Sequence, residues 1–311
     1  MELIRGLHNL RPEHRGCVAT IGNFDGVHLG HQAVISQLAE KAAEHCLPSV
    51  VMVFEPQPLE YFAPHKAPSR LTRFREKLQA LRRYAIDRVI SLPFNKKLAS
   101  LSYQEFIQQI LIDGLDVKYL VVGDDFRFGK DRQGRFEDLV AAGQQHGFYV
   151  VNMHTFAVDD ERVSSTRIRH ALELGDMTKA KQLLGRDYRM SGRVAHGEKL
   201  GRELGYPTAN IHIHRKVSPL QGIFVVEVYG LDEEPLAGVA SIGTRPTVDK
   251  SSKVVLEVFL FDFNQDIYGR HLQVSFLHKI RDEERFASLD ILKEKIADDV
   301  EKAKAYFSSL N

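Results

Sequence analysis

The chain has 311 residues, 43% of them apolar and 27% charged, with 42 Lys+Arg against 41 Asp+Glu. These are globular proportions for about two domains, and they exclude a disordered chain, a collagen and a coiled-coil rod. Charge is balanced locally as well, with 23 basic and 22 acidic residues in 1–180 and 19 of each in 181–311. Neither half has the positive excess of a nucleic-acid or anionic-membrane binder, so small molecules are the expected partners. A homo-oligomer is left open. The two cysteines, Cys17 and Cys46, are too few for a disulfide framework. No apolar run approaches the ~18 residues of a membrane span. Met1–Leu10 carries Glu2 and Arg5 where a signal peptide would be apolar. A reducing, cytoplasmic location is expected.

In chain order, short apolar runs at Cys17–Ile21, Ser49–Phe54, Arg88–Leu92, Tyr119–Gly123 and Phe148–Met153 read as strands. Between them come helical spacings: Val34, Ile35, Leu38 and Ala42, then Phe106, Ile107, Ile110 and Leu111. Alternation of this kind predicts a Rossmann-like parallel sheet covered by helices, with ligands beyond the carboxyl ends of its strands. After Gly185 the texture changes. Gly222–Val228, Leu236–Ile242, Val254–Phe261 and Leu272–Phe276 follow one another with turn residues between, as in an antiparallel barrel. Leu289, Leu292, Ile296 and Val300 predict a closing helix. The expected domains are 1–185, α/β, and 186–311, mainly β.

Two common phosphate motifs are absent. No two glycines lie two apart, which removes the dinucleotide fingerprint. Gly123–Lys130 (GDDFRFGK) has five residues between its glycines and Asp131 where a Walker A loop has Ser or Thr. The strongest local signal is Thr20–Gln32, TIGNFDGVHLGHQ, between the first strand and the first long helix. A helix N-terminus presents N–H groups and positive dipole charge to phosphate. Gly30, without a Cβ, permits close approach. His28 and His31 could there donate hydrogen bonds to the phosphates of ATP; a capping and a surface histidine, or zinc ligands, are the alternatives. No third ligand cluster lies nearby, which weighs against zinc.

Val163–Arg169, VSSTRIR, sets Ser164, Ser165 and Thr166 at a helix start with Arg169 one turn in, either an anion site or an ordinary N-cap. In the second domain, residues 192–210 (GRVAHGEKLGRELGYPTAN) read as a flexible loop in which Gly192, Gly197, Gly201 and Gly205 cradle phosphates. Thr208 and Asn210 alternate along an extended piece, so their oxygens point the same way and suit a Mg²⁺ held mostly by phosphate. A polar turn is the alternative. Glu257 shares a strand face with Val255 and Phe259, an unusual place for a carboxylate.

H-x-G-H with a later V-S-S-T-x-x-R resembles the nucleotidylyltransferase signature pair. The strings GNFDGVHLGHQ, GDDFRFGK and VSSTRIR, over about 15–185, are similar to the adenylyltransferase half of the bacterial bifunctional riboflavin kinase/FMN adenylyltransferase (FAD synthetase) family. GYPTAN, SIGTRPT, LEVFLFDFNQDIYG and IRDEERFASL resemble its kinase half. The resemblance implies phosphorylation of riboflavin to FMN, then adenylylation of FMN to FAD and pyrophosphate, both with ATP and Mg²⁺.

On that resemblance His28 and His31 stabilise the transferring phosphates, and Asn23 and Arg169 hold ATP with Gly30 and the Ser164–Thr166 hydroxyls. Asp125, Phe126 and Arg127 border the flavin or nucleotide, with Phe54 and the Pro56/Pro58 loop lining the same cleft. Glu257 is the general base of the kinase, while Arg281, Arg285 and Phe286 lie on the flavin side. Arg245-Pro246-Thr247 shapes the loop over the substrate. Val258 and Phe259 depart from the Thr and His common in the family. Two other readings stand beside this one: a single working site, and a flavin-responsive binding protein without turnover.

Overall fold

The computed structural model describes all residues except 124–125, 154–155, 198–200, 202–203, 216, 247–251 and 310–311. By contacts the chain forms two compact units: Met1–Pro68 with Thr72–Ser164, and Ser69–Leu71 with Ser165–Asn311.

The first unit is built on a six-stranded sheet in the order β1-β4-β3-β2-β5-β6, all neighbours parallel. Its strands are β1 Glu2–Arg5, β2 Cys17–Ile21, β3 Ser49–Glu55, β4 Arg88–Pro93, β5 Val117–Gly123 and β6 Tyr149–Met153. Alternation along β2 feeds two cores. Cys17, Ala19 and Ile21 pack with Ile110, Leu111 and Leu139. Val18 packs with Ile35, Leu38 and Ala42 of helix α1 (Leu29–Glu44). The chain runs from β2 outward through β3 to β4 and returns to place β5 on β2's other side. The switch point therefore lies between β2 and β5, and both sequence strings of interest, GNFDGVHLGH and GDDFRFGK, leave the carboxyl ends of those two strands.

The remaining helices of this unit are α2 Pro58–Phe62, α3 Phe74–Leu81, α4 Lys96–Ala99, α5 Tyr103–Phe106, continuing as a π-helical turn to Ile112, and α6 Phe136–His146. A small ribbon, β7 Ala157–Val158 with β8 Glu161–Arg162, precedes Ser164.

The second unit begins with helices α7 Ser165–Leu174 and α8 Met177–Leu184. A closed antiparallel barrel follows, in the order β10-β13-β12-β11-β14-β9. Its strands are β9 Tyr188–Ala195, β10 Thr208–His212, β11 Gly222–Tyr229, β12 Leu236–Pro246, β13 Ser252–Leu260 and β14 His271–Arg281. Phe224, Val226, Leu256, Val258, Val274 and Phe276 are buried in it. Helix α9, Leu289–Ser308, closes the chain.

The sequence places the boundary at 185; the compact units divide at Ser164/Ser165, because α8 packs on β9 and β14. Gly192 also differs from expectation. It lies inside β9, opposite Leu272, and not in a flexible loop. A Cβ there would stand 2.5 Å from the His212 carbonyl, so this glycine permits close strand approach and cannot cradle a phosphate from a loop.

Candidate active sites

In the first unit, the loop from β2 to α1 is held in an unusual shape. Phe24 (φ 47°), Gly26 (φ 87°) and Val27 (φ 44°) are all left-handed. For the two non-glycine residues that conformation costs about 1 kcal/mol or more each, so surrounding bonds must impose it. Buried Phe24 and Val27 side chains and buried Asp25 anchor it. Asp25 Oδ1 accepts from the Thr72 N–H at 3.0 Å and from the Thr72 hydroxyl at 3.3 Å, and that hydroxyl accepts from the Gly26 N–H at 2.9 Å.

His28 is the N-cap of α1: its Nδ1 accepts from the His31 N–H at 3.3 Å. With Nδ1 an acceptor, the neutral ring carries its proton on Nε2 and points a donor away from the helix. The two imidazoles are stacked, with centroids 3.6 Å apart at 17°. His31 Nδ1 is buried without a hydrogen-bond partner among the described residues. Burial pushes the His31 pKa well below 6.5, helped by the His28 ring and the Lys77 and Arg162 cations. His31 is thus neutral at physiological pH in a locally positive setting. A Cβ on Gly30 would come within 3.3 Å of the His28 ring and 3.5 Å of the Val163 carbonyl, which sets the start of VSSTRIR beside H-x-G-H. Asn23 is exposed on the same loop.

Beyond β5, Phe126 stacks on Phe128 (5.5 Å, 15°), and Arg127 is exposed, its Nη1 donating to the Phe126 carbonyl. Asp125 lies outside the described residues. Phe54 meets Phe94 edge-on at 5.7 Å, in a cluster with Tyr61 and Phe62 at the ends of β3 and β4; Phe62 is 63% exposed. Sequence reading singled out Phe54 but not Phe94, which it meets, nor Tyr61 and Phe62 of α2, which pack on Phe94.

The second unit holds Ser164's successors. Ser165 and Thr166 lie in the first turn of α7, and Arg169 Nε donates to the Ser69 carbonyl at 2.6 Å. The other carbonyls of that short segment are bonded too. Leu71 accepts from the Tyr188 hydroxyl at 2.9 Å and Arg215 Nη2 at 3.2 Å, and Arg70 accepts from Arg215 Nη1.

On the barrel, strand register places Asn210 opposite Glu257 and Glu257 opposite Ser241, one row across β10, β13 and β12. Thr208 stands opposite Phe259 on the same face. This face forms the wall of a cavity of about 590 Å³ that also includes Gly201, Arg281, Arg285 and Phe286. Leu292 and Ile296 of α9 line it as well, whereas Leu289, expected in the same apolar stripe, is exposed. Gly197 faces Asn210 so closely that a Cβ would lie 2.2 Å from its amide. A second cavity of about 300 Å³ opens beside it, lined by His196, Thr208, Asp266 and Tyr268 among others; Thr208 borders both.

Val258 is buried in the barrel and Phe259 packs edge-on to Tyr206 at 5.3 Å. Phe259 thus makes the larger cavity's wall apolar there, and Val258 lines the smaller cavity. Thr247 lies outside the described residues, and Arg245 and Pro246 end β12.

The sequence reading missed Asp299. Its buried carboxylate takes Arg281 Nε at 2.9 Å and Nη2 at 2.8 Å, fastening α9 to β14, while the guanidinium lies 5.5 Å over the Phe286 ring. Asp299→Ala is expected to destabilise the barrel unit by about 2–4 kcal/mol, because it strands a largely buried cation. Thermal denaturation of the full chain measures this; an unchanged transition would show that the pair carries little.

Family models match the two regions separately: FAD synthetase over residues 10–167 and riboflavin kinase over residues 184–307. A bifunctional riboflavin kinase/FMN adenylyltransferase of Pseudomonas fluorescens is 53% identical over 98% of this chain and 97% of its own length. The chain belongs to the bifunctional riboflavin kinase/FMN adenylyltransferase family.

The Escherichia coli K12 member is 51% identical over 99% of this chain and 98% of its own. A solved structure described as a macrolide-efflux protein from Streptococcus pneumoniae is 32% identical, with a TM-score of 0.83 over 96% of this chain and 97% of that one. No described helix is long and apolar enough to cross a membrane. The chain carries both enzymatic domains of the bifunctional riboflavin kinase/FMN adenylyltransferase family and is an enzyme of flavin cofactor biosynthesis.

Proposed function

We propose that residues 186–311 phosphorylate riboflavin at the Glu257 face of the barrel and that residues 1–185 adenylylate the product at the His28/His31 loop. The row Asn210–Glu257–Ser241 in the wall of the 590 Å³ cavity is the observation that carries the kinase assignment. Flavin occupies that cavity against Phe286 and Arg281, and the adenine side of ATP takes the neighbouring one, whose common wall is Thr208. The ribityl 5′-hydroxyl attacks the γ-phosphorus; its proton passes to the Glu257 carboxylate, the bond to the β,γ-bridging oxygen breaks and ADP leaves.

The side-chain oxygens of Thr208 and Asn210 fit a Mg²⁺ that keeps most of its ligands from phosphate and water. Bound there, Mg²⁺ would offset charge on the phosphates. Gly197 and Gly201 let backbone approach close to these two ligands.

In adenylylation an FMN phosphate oxygen attacks the α-phosphorus of ATP and pyrophosphate leaves, without a covalent enzyme intermediate. His28 Nε2–H and neutral His31 donate to the phosphates, and the exposed Arg127 with Phe126 and the Phe54 cluster accompany the flavin. Asn23, Ser164, Ser165, Thr166 and Arg169 supply further contacts to ATP. Dependence on ATP for both steps fits a cytoplasmic enzyme whose partners are small molecules.

Purified protein given riboflavin, ATP and Mg²⁺ is expected to yield FMN and then FAD on chromatography. FMN without FAD would remove the adenylyltransferase assignment; no product at all would favour a flavin-binding protein.

A further inference from the structure

We propose that Asp25 and Thr72 are positioning residues for adenylyl transfer: their hydrogen bonds hold the β2–α1 loop in the left-handed shape that presents His28 and His31. The inference rests on the assignment of those histidines above. Three observations support it. Phe24, Gly26 and Val27 flank Asp25 in a conformation that phenylalanine and valine seldom adopt unaided. Asp25 and Thr72 are 3% and 5% exposed, so their bonds are made away from competing water. One Thr72 hydroxyl serves both sides of the turn, donating to Asp25 Oδ1 and accepting from the Gly26 N–H.

Geometry follows from this through the chain. Val27 is one residue from His28, and His28 Nδ1 in turn accepts from the His31 N–H, so a turn that relaxes at Gly26 shifts both imidazoles together. Stacked at 3.6 Å, the rings cannot adjust independently. Such a displacement chiefly affects bonds that strengthen as charge develops on the transferring phosphate, and so it lowers kcat more than it raises KM. Thr72 spends its hydroxyl on Asp25 and Gly26.

The test uses full-length Thr72→Val, Thr72→Ser, Asp25→Asn and His31→Ala, with FAD formation from FMN measured at steady state. FMN formation in the same preparations reports on the integrity of the chain. Thr72→Val and Asp25→Asn are expected to lower kcat for FAD formation by about tenfold or more. KM for ATP and FMN should stay within about twofold, since the substrate-binding groups are untouched. Thr72→Ser keeps the hydroxyl and should remain within about twofold of the parent.

Full kcat in Thr72→Val, or a Thr72→Ser variant as impaired as Thr72→Val, would overturn the proposal. Should thermal denaturation show that Thr72→Val fails to fold, Asp25→Asn and Thr72→Ser decide the matter, and normal kcat in Asp25→Asn overturns it. If His31→Ala still makes FAD, the underlying histidine assignment fails. If His31→Ala is inactive while Thr72→Val is normal, only the positioning role fails.

Discussion

His31→Ala is expected to lower FAD formation from FMN and ATP by about 10²–10³-fold while riboflavin phosphorylation continues. Magnitude and selectivity both come from the ring's surroundings. Half-buried at the α1 start with its Nδ1 enclosed, stacked on His28 and influenced by the Lys77 and Arg162 cations, the imidazole is held neutral. In the proposed role its contribution to phosphate would be a directed hydrogen bond, with the positive potential coming from its neighbours. That distinction has a consequence for substitution. His31→Gln, which keeps a neutral N–H donor of similar reach, should retain more activity than His31→Ala. Equal loss in both would show that the ring's packing against Phe24 and His28, and not its donor, is what matters. FAD formation undiminished in His31→Ala would remove the adenylyltransferase site from this loop.

Glu257→Ala should show the opposite pattern, with FMN formation falling by about 10²–10⁴-fold and FAD synthesis from supplied FMN intact. The carboxylate projects from a closed barrel whose register fixes it between Asn210 and Ser241. Closed barrels have no free edge along which a strand can slip, so the carboxylate cannot be replaced by a shifted neighbour. Glu257→Gln keeps the shape and side-chain length but accepts no proton, and it should be nearly as impaired at unchanged thermal stability. Measuring both reactions in both variants separates proton acceptance from packing. If Glu257→Gln phosphorylates riboflavin at the parental rate, the general-base role is wrong.

Much of this arrangement was legible in the sequence for physical reasons. Strands of the parallel sheet are buried on both faces and so read as continuous Val/Ile runs; Cys17–Ile21 is found at the expected bounds. Thr208 and Asn210, on alternating positions of one strand, line one cavity as their spacing suggests, and Glu257 of the neighbouring strand joins them there. Other features left no local trace. β1 is four residues long with only Ile4 buried, too short for a period to show. Gly192 looked like a loop residue because strand closeness is set by His212, far along the chain. Asp299, two helical turns beyond Leu292, resembles any solvated acid until Arg281 is seen beside it. Thr72 lies in a polar stretch, and its partner Asp25 is 47 positions away.

The excursion of Ser69–Leu71 bears on how the two activities could be divided between polypeptides. A gene split at the 185/186 junction would leave those three residues with the adenylyltransferase fragment. The Tyr188 and Arg215 donors that meet the Leu71 and Arg70 carbonyls would go to the other fragment. Thr72, immediately downstream, would then follow a segment that keeps the Arg169 bond to Ser69 but loses those from Tyr188 and Arg215. The same split would take α7 and α8 away from the barrel unit, where α8 packs on β9 and β14, so each half loses packing that one polypeptide keeps.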